Sequence, residues 1–152
     1  MKRTLLPVAV IIIGILGLAF TYVPVETNSS EIEIKELISK SYIHGAFNEL
    51  NPEAMAKGFH KDFAIFSAKG EELSRYEIED WVSGVKKRKG AGDFDPKKNV
   101  WDHKFALVDV TGKSAIAKVE LSKDGKHVYT DYLSLLKFDT GWKIVAKVYT
   151  KH

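Results

Sequence analysis

The sequence predicts an α+β domain: three N-terminal helices packed on a strongly curved antiparallel sheet, in the order α-α-β-α-β-β-β-β, preceded by a transmembrane or signal segment. Three observations carry that expectation. Apolar residues recur at helical spacing only before residue 90, Gly-containing turns separate strand-like runs after residue 110, and a chain of 152 residues that is 45% hydrophobic can bury one core. The chain has no cysteine, which excludes disulfides, thiol nucleophiles and thiolate metal sites. Its formal charge of +3 is too small for a dedicated polyanion binder, so no nucleic-acid partner is expected.

Residues 1–25 read as a signal-anchor or signal peptide. Lys2 and Arg3 precede an almost wholly apolar run from Leu5 to Val23, and 19 residues in a helix reach roughly 28 Å, most of a bilayer core. The end, "GLAFTYVPVETNSS", has no clean Ala-x-Ala cleavage site, which favours an uncleaved anchor over a cleaved signal. Either way the positive residues stay inside and the domain lies outside the cytoplasm, secreted if the leader is cut. Residues 26–30 form a tether and residues 31–152 the domain.

From Glu31, Ile34, Leu37, Ile38, Ser41, Tyr42 and Gly45 fall on one helical face. Asn51 as N-cap and Pro52 in the first turn open a second short helix running to about Phe59. A strand over Phe63 to Ser67 follows. Ser74 and Glu77 stand in capping-box spacing, and Ile78, Trp81, Val82 and Val85 form the apolar stripe of a third helix that ends near Lys89 and Gly90. The cluster Lys86, Lys87, Arg88 and Lys89 complements the helix dipole and needs no ligand.

Thr111-Gly112, Asp124-Gly125 and Asp139-Thr140-Gly141 then divide four antiparallel strands. A two-residue loop at Asp124 and Gly125 places Ala117 opposite Tyr132, Lys118 opposite Asp131 and Val119 opposite Thr130; pairing Phe138 with Trp142 sets Leu136 against Ile144 and Tyr132 against Val148. One face then combines small residues (Ala106, Ala115, Ala117, Ser134, Ala146) with Tyr132, Phe138 and Trp142, the lining of a cavity for a small ligand. On the opposite face, the apolar end with Leu107, Ile116, Leu133, Leu135 and Val145 needs a cover. Three short helices can hardly wrap both faces, so a second copy of the sheet is expected, giving a homodimer.

The segments "YIHGAFNELNPEAMAKGFHKDFAIF" (Tyr42 to Phe66), "VDVTGKSAIAKVEL" (Val108 to Leu121) and "TDYLSLLKFDTGWKIVAKVY" (Thr130 to Tyr149) carry a resemblance. Over about Glu31 to His152 the chain resembles the cone-shaped, cystatin-like α+β fold of the nuclear transport factor two-like superfamily, which includes ketosteroid isomerase and polyketide cyclases, and within it the bacterial "putative lumazine-binding" group. The resemblance implies a pocket between helices and sheet, often a dimer, and no settled activity or cofactor. Where that group usually has a His-Pro pair, this chain has His60-Lys61.

Candidate pocket residues are Tyr42, Phe59, His60 and Phe66 in the first half of the domain, with Trp81, Tyr132, Ser134 and Trp142 in the second. Enolate chemistry needs a base and an oxyanion donor in a dry pocket; His60, Asp62, His44, Tyr42, Tyr132 and Asp131 are the available groups, and none stands in a catalytic motif. In the expected register Tyr132 faces the cavity, while Asp131 faces away and pairs across strands with Lys118. His44, His60, His103, His127 and His152 lack metal-ligand spacing. Three readings follow: an extracytoplasmic, non-catalytic binder of a small apolar or aromatic ligand; an isomerase or dehydratase using Tyr132 with His60 or Asp62; and a structural envelope dimerisation module with a filled cavity.

Overall fold

A computed structural model describes residues 26–152; the expected leader, residues 1–25, lies outside the described residues. Helix α1 (Glu26–Leu37) begins within the segment expected as a tether and runs without a break into a π-helix (Ile38–Asn48). Its buried stripe is Ile34, Ile38, Tyr42 and Ala46, close to the face that the spacing predicts. Helix α2 (Pro52–Gly58) starts as expected: Asn51 Oδ1 accepts from the backbone N–H groups of Glu53 and Ala54 at 3.1 and 3.2 Å, which satisfies two donors that a helix start leaves free. Among the described residues no helix is long and apolar enough to cross a membrane.

Strand β1 (Phe59–Lys69) is more than twice the expected length, and β2 (Glu72–Glu77) replaces the expected capping box. Gly70, at φ +64°, turns the chain so that Ser67 pairs with Ser74 and Ala64 with Glu77. Ser74 is therefore committed to the ladder and caps nothing. Helix α3 (Ile78–Lys89) starts directly from the extended Glu77, without a side-chain cap, and ends at Gly90 as expected.

The four final strands are β3 (Asp102–Thr111), β4 (Ser114–Lys123), β5 (Lys126–Phe138) and β6 (Gly141–Lys151). The sheet has six strands in the order β2-β1-β6-β5-β4-β3, and it is mixed: β1 runs parallel to β6. The antiparallel meander stands as expected, but its register corrects the sequence reading. Asp124 (φ +52°) and Gly125 (φ +74°) do form a two-residue turn, closing Lys123 on Lys126. Two residues later Val128 has no partner, since Ser122 pairs with His127 and Leu121 with Tyr129. This bulge shifts β5 by one, so Ala117 meets Leu133, Lys118 meets Tyr132 and Val119 meets Asp131. The physical reason lies in "LSLL": the shifted register buries Leu133 and Leu135 and leaves Ser134 outside, whereas the unshifted one would bury Ser134 and turn both leucines outward.

A second bulge falls at Val145, between the pairs Ser134–Ala146 and Leu135–Ile144. Phe138 pairs with Gly141 rather than Trp142. Trp142 and Ile144 face the core as expected, but beyond Val145 the parity reverses, so Ala146 turns outward and Lys147 inward. A third bulge at Ala106 does the same in β3. Each unpaired residue bends its strand and adds twist; together the three curl the sheet around the helices.

Candidate functional site

The two bulges in β5 and β6 create the site. Asp131 is wholly buried and Lys147 has only 5% of its surface exposed. Both are on the helix-covered face, which the unbulged reading gives to Tyr132. Lys147 Nζ lies 2.8 Å from Asp131 Oδ1 and donates to Tyr42 Oη at 2.6 Å; Tyr42 Oη in turn donates to Asp131 Oδ2 at 2.6 Å. The contact at Oδ1 is close enough for an ion pair, but among the described residues no donor is aligned on that oxygen. Tyr42 comes from the middle of the π-helix, so the triad ties the first helical rod to the two central strands.

Around the ammonium stands a box of rings. Lys147 Nζ lies 4.9 Å from the centroid of Tyr149 and 5.0 Å from that of Tyr42, with Trp81, Phe47 and Tyr129 at 5.8 to 5.9 Å. Each negative ring face attracts the cation, and the attraction grows once water is excluded. Burial still lowers the Lys147 pKa from the ordinary lysine value, with the Asp131 charge opposing the shift. Burial, reinforced by the Asp131 charge and hydrogen bond, raises Tyr42 well above 10.0. Tyr42 therefore stays a neutral donor throughout the physiological range.

Lys147 also forms the floor of a cleft of about 320 Å³ walled by Phe47, Ile65, Trp81, Tyr129 and Tyr149, with Ser67 and Tyr76 completing it. Asp131 and Tyr42 do not line it, so an occupant would meet the lysine side of the pair. The walls come from the π-helix, β1, β2, α3, β5 and β6. A second cleft of about 260 Å³, lined by Ala56, Phe59, His60, Ile78 and Val82 among others, opens between α2, β1 and α3.

The expected pocket residues divide. Trp81 lines the lysine cleft, Tyr42 lies behind it against Lys147, and Phe59 and His60 line the second cleft. Trp142 is a core residue whose buried indole N–H has no partner among the described residues. Tyr132, 47% exposed, and Ser134 are corrections: both stand on the outer sheet face, because the Val128 bulge reverses β5. Phe66 pairs with Val148 on that same face, under the guanidinium of Arg75. The expected constellation of Tyr132 with His60 or Asp62 is therefore not assembled in the interior; His60 stacks on Phe138, and Asp62 is exposed with its pKa lowered chiefly by Lys61. Asp131, expected opposite Lys118, instead faces Lys147. Sequence reading passed over Phe47, Tyr129 and Tyr149, and its unbulged register puts Lys147 on the outer face, which the Val145 bulge corrects; the serine within "LSLL" was the signal that could have exposed the register.

The comparisons with known proteins agree with the fold. A family model described as "Putative lumazine-binding" matches residues 29–150. Among solved structures, the chain is similar to an NTF2-like protein of unknown function from Shewanella baltica, at 24% identity over 82% of this chain and 95% of that one, with a TM-score of 0.65. A second NTF2-like protein of unknown function, from Methylobacillus flagellatus, shows 26% identity over 86% of this chain and 95% of that one, with a TM-score of 0.58. A domain of unknown function with a cystatin-like fold from Nostoc punctiforme gives 15% identity over 83% and 79%, with a TM-score of 0.61. No curated protein matches the chain. With most of its length matched by that model, and its helices and curved sheet matched by those structures, the chain belongs to the "Putative lumazine-binding" family of the nuclear transport factor two-like superfamily.

Proposed function

We propose that this chain is a non-catalytic small-molecule-binding domain, held outside the cytoplasm by its apolar N-terminal segment and paired with a second copy through the outer sheet face. The observation that carries the binding reading is the aromatic cleft floored by Lys147: an apolar, concave lining with one convergent polar group is what small-ligand sites share. The family's description supplies the first compound to test, lumazine, whose flat ring suits walls of Trp81, Tyr129 and Tyr149. The dimer reading is supported by Leu107, Ile116, Tyr132, Leu136 and Val148, all more than 40% exposed and on one face, an arrangement that favours a protein partner over water. The location is supported by Lys2 and Arg3 ahead of the apolar run.

The test is native mass spectrometry of the full chain, extracted from membranes in mild detergent, with and without added lumazine. A dimer retaining a small mass, displaced or matched by lumazine, supports the proposal. A bare monomer that takes up neither lumazine nor other flat aromatics defeats both the binding and the pairing.

A further inference from the structure

From the way Lys147 fills its own aromatic box, we infer that the cleft selects flat conjugated ligands carrying a carbonyl or carboxylate oxygen and rejects cationic ones. The inference rests on the preceding reading of the cleft as a small-molecule site and goes beyond it in naming the ligand's chemistry. A box of Tyr42, Phe47, Trp81, Tyr129 and Tyr149 is by composition a receptor for an ammonium group. Here the chain supplies that ammonium from within, at 4.9 to 5.9 Å from all five ring centroids. A ligand cation would find its place taken and a like charge beneath it, at a spacing where repulsion inside a protein costs severalfold more than in water.

An oxygen acceptor meets the opposite situation. An ammonium has three donors; Lys147 directs one at Tyr42 Oη and stands 2.8 Å from Asp131 Oδ1 without aligning a donor on it, so donor capacity remains. The two partners are recessed and do not line the cleft, whereas Lys147 does. Asp131 balances the charge of the lysine, so the floor requires no net charge of its ligand. A neutral carbonyl and a carboxylate share the recognised feature, and the rings on either side hold the conjugated plane to which that oxygen is attached.

The experiment compares ligands of one shape on the full-length protein. Naphthalene, 2-naphthamide, 2-naphthoate and N,N,N-trimethyl-2-naphthylammonium are titrated by calorimetry, with Trp fluorescence as a second signal. Both oxygen-bearing probes are expected to bind at least about tenfold more tightly than naphthalene, the size of a hydrogen bond to a charged donor, and the cation not at all where they saturate. Amide against acid then distinguishes the carbonyl from the carboxylate form of the preference. Lys147→Met should bring the oxygen-bearing probes down to the level of naphthalene. Because that variant leaves Asp131 buried and unpaired, the double variant Asp131→Asn/Lys147→Met is measured too; it should lose the oxygen preference and, with the like charge removed from the box, gain binding of the cation. If neither oxygen-bearing probe binds more tightly than naphthalene, or if the unaltered protein binds the cation, the inference is overturned while the small-molecule reading stands. If no probe binds, naphthalene included, that earlier reading fails and this one with it.

Discussion

Asp131 and Tyr132 are chain neighbours in β5, and Lys147 and Val148 are neighbours in β6, yet the two pairs divide between different worlds. Asp131 and Lys147 lie buried, paired with each other at 2.8 Å and each hydrogen-bonded to Tyr42. Tyr132 and Val148 pair with each other across the outer face, each about half exposed. On that face Lys118 stands over the ring of Tyr132 at 5.6 Å, superficially the same cation-on-aromatic contact that Lys147 makes five times over. The difference is the surrounding medium. Outside, water screens the charge and the contact is worth a fraction of a kcal/mol up to about 1; inside, desolvation makes the same ingredients both stronger and more fragile. The inner face therefore has one arrangement that can be satisfied, and the outer face has many.

Breaking the inner pair should give the largest effect. Lys147→Met leaves a buried carboxylate without its partner and is expected to cost about 3–5 kcal/mol in urea unfolding, whereas Asp131→Leu/Lys147→Met should recover most of the loss, since an apolar replacement removes the desolvation penalty along with the attraction. A double variant no more stable than the single one would mean that the pair is worth much more than its desolvation costs.

Smaller, and still on the inner side, is the docking of α2 against the π-helix. A Cβ at Gly58 would stand 2.2 Å from Ser41 Cβ and 2.3 Å from its Oγ. Gly58→Ala should therefore cost about 1–3 kcal/mol by overpacking, and Ser41→Gly in the same chain should restore part of it, as read from the shift in thermal midpoint. Ser41 adjoins Tyr42, so an effect of this variant on ligand binding would show how tightly the floor of the cleft depends on helix packing.

The pH dependence sharpens the comparison further. Tyr42 in the folded state holds its proton well above 10.0, while in the unfolded chain it releases it near that value. Above pH 10 the native state therefore binds more protons than the unfolded one, and its stability falls as pH rises, by at most about 1.4 kcal/mol per unit for one proton. Tyr42→Phe removes this loss, so the stability gap between the native protein and this variant should narrow above pH 10 in denaturant titrations. A constant gap would place the Tyr42 hydroxyl in water.

The outer face should respond least. Ile116→Lys, at a position 49% exposed, is expected to change the stability of the subunit by no more than about 0.5 kcal/mol. Sedimentation velocity is the measurement that matters there: if two copies meet through this face, the added charge should shift the protein to monomer, and an unchanged sedimentation coefficient would remove the face from the interface.

Much of this protein was legible in the sequence. The helical stripe through Ile34, Ile38 and Tyr42, the Asn51 cap, the end of α3 at Gly90 and the Asp124-Gly125 turn all depend on interactions within a few residues, and each stands where spacing and turn chemistry put it. So does the family, whose segments the sequence displays openly. What tertiary structure alone decided is the direction of the side chains in the last two strands. A strand apolar on both faces, such as "YLSLLKF", has no preferred inside by periodicity, and one unpaired residue at Val128 or Val145 exchanges its faces. That choice was made by the whole core, which gains more from burying Leu133 and Leu135 than from burying Ser134, and it carried Asp131 and Lys147 inward beneath Tyr42. Local chemistry determined the elements; only the competition between two faces for one core determined which residues became the site.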